Sequence, residues 1–182
     1  MMLEEQFAGT LAAAQAGGEW AVADIYRAHN ARVVRYFRAN APADAEDLAS
    51  ETWLAAARNL SSFEGDEDAF RGWLFTIARR RLTDHRRKAG RRHDEARPEE
   101  SLEVSAEASA EADALAGRLG HEAASKIVSR LPADQAEVVL LRVVADLSVE
   151  QVAAITGRRP GTVRVLQHRA LRRLAREFPD DV

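Results

Sequence analysis

Cysteine is absent from all 182 residues, which excludes disulfides and thiolate-ligated metal. Lysine is nearly absent too: Lys88 and Lys126 stand beside 24 arginines. A GC-rich coding sequence accounts for that bias as well as selection for bidentate phosphate contacts does. Glycine and proline number only 10 and 5, so the chain is poor in helix breakers, and alanine, leucine and arginine dominate. That composition predicts an all-α protein. No apolar run approaches the roughly 20 residues needed to cross a bilayer. The acidic start Met-Met-Leu-Glu-Glu does not read as a signal peptide, so a cytoplasmic protein is expected. The five histidines, at 29, 85, 93, 121 and 168, show no metal-ligand spacing. They are expected at the surface or at helix caps, with no metal and no cofactor.

The formal charge of −3 and the pI near 6.0 argue at first against a nucleic-acid partner. That average conceals segregation along the chain. From Arg71 to Arg92 there are nine basic residues against one acid, Asp84, for a net +8. From His93 to Ala114 there are eight acids against Arg97, for a net −7. From Gly157 to Arg176 there are seven arginines and no acid. Two basic segments therefore flank an acidic one.

Apolar spacing divides the chain in the same way. A short helical lead at 6–16 ends at Gly17-Gly18, and an amphipathic helix follows over 22–37. Asn40-Ala41-Pro42 breaks it. A second helix over 43–59 places Leu48, Trp53, Leu54 and Ala57 inward, with Asp44, Glu46, Asp47 and Glu51 near its positive end. A polar loop, Ser61 to Asp68, leads into a third helix over 69–88. There Phe70, Trp73, Leu74 and Ile77 share the core face, while Phe75, Arg79, Thr83 and Arg86 lie opposite. Trp20 and Trp53 are expected in the core. This first domain, 7–92, is a small helical bundle. Residues 93–120 read as a flexible acidic linker, nearly without large apolar side chains. Pro132 then opens a helix carrying Val138, Val139, Leu140, Leu141 and Val143.

The second domain, 121–178, holds the sharpest pattern. Ser148 and Gln151 form a capping box, and Val152, Ala153 and Ile155 face inward. Gly157 sits where a helix ends in the left-handed conformation. Pro160 starts a second helix with Val163, Leu166, Ala170, Leu171 and Leu174 as its stripe. Helix, glycine turn and basic helix make a helix-turn-helix over 149–168. Arg158, Arg159, Thr162, Arg164, Val165, His168 and Arg169 are its candidate DNA-binding residues, since arginine suits both guanine edges and phosphates. In the first domain, Phe75 near the basic run is a candidate for stacking on unpaired bases.

The run D-A-E-D-L-A-S-E-T-W from Asp44 to Trp53 is followed by F-R-G-W-L-F-T-I-A-R from Phe70 to Arg79. Then come L-P-A-D-Q-A-E-V-V-L-L-R from Leu131, D-L-S-V-E-Q-V-A and G-T-V-R. In this order and spacing the chain resembles the extracytoplasmic-function (ECF) sigma factors, the smallest of the sigma-70 class. The resemblance implies two helical domains, sigma regions 2 and 4, and a non-catalytic protein that takes core RNA polymerase to promoters. It implies that Asp44, Glu46, Asp47, Leu48, Glu51 and Trp53 dock on the clamp of the β′ subunit, with region 4 meeting the flap of the β subunit. Ser61, Ser62, Phe75, Arg79, Arg80, Thr83, Arg86 and Arg87 would melt and hold the −10 element, a flipped base entering the 61–68 loop. The helix-turn-helix would read the −35 element, the acidic linker would thread the RNA path or serve as a solvated spacer, and an anti-sigma factor would hold the protein inactive. Two departures stand out. Arg80 replaces the family's usual Asn, and Val165-Leu166 replaces Ser-Arg.

Two other readings compete. A stand-alone helix-turn-helix regulator would bind DNA without polymerase, but gains nothing from the acidic run at 44–51. A nuclease would need carboxylates clustered around Mg²⁺, and no phosphate-cradling glycine loop accompanies these acids.

Overall fold

The computed structural model describes residues 4–95 and 129–177, in which helices and the turns between them account for all regular structure. Helix α1 (Glu4–Gln15) turns into α2 (Glu19–Asn40) at Gly17, whose φ of 87° is one that residues with a Cβ rarely adopt. A 3-10 turn at Pro42–Asp44 leads into α3 (Ala45–Asn59), and a second at Leu60–Ser62 closes it. Helix α4 (Glu67–Glu95) is capped by Asp66, whose Oδ1 accepts a hydrogen bond from the Ala69 amide at 2.7 Å. It overruns both the expected helix end at 88 and the expected domain end at 92. The rest of the acidic segment lies outside the described residues.

These four helices close on Tyr36, Phe37, Phe70, Leu74 and Phe75, each at most 1% exposed. Burying each such side chain is worth about 1.5–3 kcal/mol. Phe75 is therefore core and not the exposed stacking residue expected. Its ring meets Tyr36 edge-on at 5.5 Å, because α4 buries Leu74 and Phe75 together between α2 and the C-terminal helices. His29 is buried as well, on the inward stripe of α2 with Ile25, Val33 and Phe37. The helical spacing that includes it outweighs the ordinary preference of histidine for the surface.

The inward face of α3 differs from the expected one. Leu48, Ala49, Thr52 and Ala56 are buried, whereas Leu54 is 59% exposed and Ala57 faces solvent. Trp20, at 61%, is also outside the core, and Trp53 is half-buried. Small residues at 45, 49 and 56 let α3 approach its neighbours closely, so the large side chains are not needed within.

In the C-terminal part, α5 (Ala133–Val139) continues through a π-type turn, Leu140–Val144, where the Ala145 amide bonds the Leu140 carbonyl at 3.0 Å. The turn buries Leu140 and Leu141 and leaves Val143 62% exposed. Helix α6 (Val149–Thr156) begins on the expected capping box, with Ser148 and Gln151 bonded reciprocally, and ends at Gly157 with φ 68°. Helix α7 (Pro160–Glu177) buries Val163, Leu166 and Ala170, while Leu171 is 48% exposed. The stripe is narrower than the sequence suggests.

Both parts share one core. Val138, Leu140, Leu141, Leu147 and Val152 join the cluster built on Phe70 and Phe75. Gln151 Nε2 donates to the Asp68 carbonyl at 2.7 Å. A Cβ at Gly72 would come within 3.1 Å of that same amide nitrogen, so the glycine permits the close approach.

Candidate nucleic-acid interface and docking face

The acidic run of α3 lies between basic neighbours. Glu46 pairs with Arg38, Glu51 Oε2 stands 3.7 Å from Arg81 Nη1, and Asp44 Oδ2 stands 3.4 Å from His85 Nε2. Such half-exposed pairs are worth at most about 1 kcal/mol, so an external cation can exchange into them. Asp47 faces solvent. Leu48 is 4% exposed and holds α3 in place from within, leaving only its edge at a small cleft with Glu51 and Arg81.

Sequence reasoning missed an apolar groove between α2 and α3. It encloses about 540 Å³ and is walled by Val22, Tyr26, Trp53 and Leu54. Tyr26 and Trp53 pack with centroids 5.0 Å apart, and Trp53 Nε1 donates to Asn30 Oδ1 at 3.0 Å, which fixes the indole. Val22, Tyr26 and Leu54 are 41%, 43% and 59% exposed. Contiguous exposed apolar side chains rimmed by polar ones mark an interaction site. The signal was present as apolar residues that the α2 and α3 stripes could not all bury.

The basic face of α4 divides into two. Thr76, Arg80, Thr83 and Arg87 are exposed at spacings of four, three and four, so they share one stripe. Thr76 had not been singled out. Three of the arginines have acceptors: Arg79 Nε lies 2.9 Å from Glu137 Oε1, Arg86 Nη2 donates to Asn40 Oδ1 at 2.7 Å, and Arg87 Nη2 donates to Asp84 Oδ1 at 3.2 Å within its own stripe. Ser61 and Ser62 are exposed at the start of the loop before α4. Gln15 Nε2 anchors that loop to α1 through the carbonyls of Leu60 (3.0 Å) and Phe63 (2.7 Å). Gly65, at φ 146°, completes its bend.

On the helix-turn-helix, Arg159, Thr162, Arg164, Val165, His168 and Arg169 are all exposed. Arg164 Nη2 is held by Glu150 Oε1 at 3.0 Å. Arg158 Nη1 lies 2.6 Å from Glu137 Oε2. Glu137 thus bridges one arginine from each basic segment. Further along α7, Arg169, Arg172 and Arg176 border a cleft with Gln135.

A helical bundle with an exposed apolar groove, followed by a helix-turn-helix with a basic outer face, is the arrangement of a two-part DNA-binding protein with a separate apolar face. Models of Sigma-70 region 2 and Sigma-70 region 4 match residues 25–92 and 121–174. The chain is 38% identical over 170 residues to the ECF RNA polymerase sigma factor BldN of Streptomyces coelicolor, covering 92% of this chain and 64% of BldN. It is 35% identical over 184 residues to the ECF RNA polymerase sigma factor SigD of Mycobacterium tuberculosis, covering 97% and 86% of the two chains. Among solved structures it resembles the sigma factor RpoE bound to the anti-sigma factor NepR from Bartonella quintana, with TM-score 0.64 and 26% identity over 90% of this chain and 98% of that one. CnrH in complex with the cytosolic domain of CnrY shares the fold, with TM-score 0.61 and 21% identity over 95% and 97%. The chain belongs to the extracytoplasmic-function sigma factors of the sigma-70 family.

Proposed function

We propose that this chain is a non-catalytic, cytoplasmic initiation factor that binds core RNA polymerase and directs it to promoters, region 2 spanning about 7–95 and region 4 about 121–178. The observation that carries this reading is the apolar groove of Val22, Tyr26, Trp53 and Leu54, with exposed Asp47 and Glu51 on the same helix as Leu54. DNA has no use for such a face, whereas a protein partner such as the clamp of the β′ subunit does. Leu54, Tyr26, Asp47 and Glu51 supply the contact, and Leu48 and the indole of Trp53 shape it.

The α4 stripe of Thr76, Arg80, Thr83 and Arg87 then faces the −10 element. Arg79 and Arg86 join it when their present partners release them. The loop at 61–68 receives an unstacked base, a cost of a few kcal/mol that strand contacts must offset. Helix α7 lies in the major groove of the −35 element with Arg159, Thr162, Val165, His168 and Arg169 toward the bases and phosphates. Region 4 also meets the flap of the β subunit. Because relatives of this fold are held by anti-sigma factors, the same docking face is where such an inhibitor would compete.

The test is assembly with core polymerase. Wild type should co-elute with core, and Leu54→Asp, an exposed substitution, should lose assembly at least about tenfold while keeping its helical spectrum. Retention of full core binding by Leu54→Asp would remove the groove from the account.

A further inference from the structure

Among the described residues of α7, Val165 is the one large apolar side chain opposite the buried stripe. Val163, Leu166 and Ala170 point into the core at 0%, 7% and 0% exposure. Thr162, Val165, His168, Arg169 and Arg172 occupy the other side, all exposed. Val165 lies one turn after Thr162 and one turn before Arg169, and its exposure is 48%. Leu171, equally exposed, falls about a third of a turn away around the axis and in the C-terminal half of the helix. It is the N-terminal half of a recognition helix that reaches base edges.

A valine there carries no donor and no acceptor, so it cannot read hydrogen-bonding groups. The one apolar feature of the major groove that differs among base pairs is the thymine C5-methyl group. Valine is also stiff, with a single strongly preferred χ1 in a helix, so its two methyl groups are presented without much loss of freedom. The neighbouring side chains leave that role to it. Arg164 is tied to Glu150 at 3.0 Å, and Arg158 to Glu137 at 2.6 Å. Thr162, His168 and Arg169 surround Val165 with polar groups that suit phosphates and other base edges.

We propose that Val165 is a specificity-determining residue that reads the C5-methyl group of one thymine in the duplex element bound by α7. This rests on the reading of region 4 as a major-groove binder. It assigns base preference to a position where the familiar family pattern carries serine.

The experiment uses the full chain with core polymerase and a promoter selected by that holoenzyme. Each thymine of the upstream element is replaced singly by deoxyuridine, which removes only the methyl group. Wild type should lose affinity about three- to fivefold at one position, the amount expected for one buried methyl. Val165→Ser should bind the thymine and deoxyuridine duplexes equally at that same position and respond like wild type elsewhere. Sequence-specific binding in which no deoxyuridine matters, or in which Val165→Ser is as sensitive as wild type, overturns the inference alone. Binding with no dependence on the upstream element overturns the reading of region 4 and this inference with it.

Discussion

Arg79 Nε lies 2.9 Å from Glu137 Oε1, and this contact joins the long helix α4 to α5 across the two matched regions. The other oxygen of the same carboxylate holds Arg158 Nη1 at 2.6 Å. All three side chains are less than a third exposed, so the pairs are weakly screened and fall between a surface pair near zero and a buried one of several kcal/mol. A guanidinium held this way is not available to a phosphate. Glu137→Gln should therefore weaken the junction by about 1–2 kcal/mol and raise affinity for promoter duplex several-fold. Asp134→Asn, which removes an exposed acid from the same helix, should do much less. Binding titrations at two salt concentrations check this. Equal gains from the two variants would mean that only net charge matters.

His29 makes stability depend on pH. Burial, with lesser contributions from Arg32 and Arg71, lowers its pKa from 6.5 to about 4, and neither ring nitrogen has a partner. The unfolded chain takes up a proton below about 6.5, while the folded one resists until about 4. Stability attributable to His29 is thus intact above pH 6.5 and falls as pH drops through that window, by about 1.4 kcal/mol per unit at most. His29→Leu should flatten this part of the curve without loss of stability at pH 7.5, since it removes two unsatisfied polar atoms. Denaturant titrations across pH 4.5–7.5 measure it, and parallel curves for the two proteins would rule out His29 as the source.

Phe75 separates core from interface. It is 1% exposed and packs on Tyr36, so Phe75→Ala should cost about 3–5 kcal/mol of stability. Arg80→Ala, on the exposed stripe, should leave the melting temperature nearly unchanged and weaken DNA binding. Thermal melts and binding to a single-stranded −10 oligonucleotide distinguish the two. A stable Phe75→Ala protein with impaired binding would restore Phe75 to the interface.

What the sequence disclosed and what it hid follow one physical line. The helix-turn-helix was legible because local chemistry specifies it: Ser148 and Gln151 cap α6, Gly157 takes the left-handed conformation, and Pro160 starts α7. Helix existence was legible for the same reason. Which side of a helix faces in was less so, because α3 is rich in alanine. Ala45, Ala49 and Ala56 are buried, and the larger Leu54 is displaced outward. Leu54 and Tyr26 therefore form an exposed apolar groove that a hydrophobic count assigns to the core. Phe75 failed in the opposite sense, since the residues that bury it include Tyr36 and a core shared with region 4, long-range partners that spacing within α4 does not reveal. The pairing of Glu137 with two arginines is likewise a tertiary contact between segments 21 and 58 residues apart.

The capping box offers a local probe of region 4. Ser148→Ala removes one of its two reciprocal bonds and should cost about 1 kcal/mol. Amide exchange in α6 should quicken more than in α2 or α3. Uniform acceleration would show that the shared core, and not the cap, governs opening there.

The most direct measurement is transcription from a random promoter library by core polymerase with and without this chain. The account predicts transcripts that appear only with the chain and start downstream of a shared two-part sequence, and that fall together when Leu54→Asp breaks docking. Specific DNA binding by the purified chain, with no binding to core and no dependent transcripts, would contradict it.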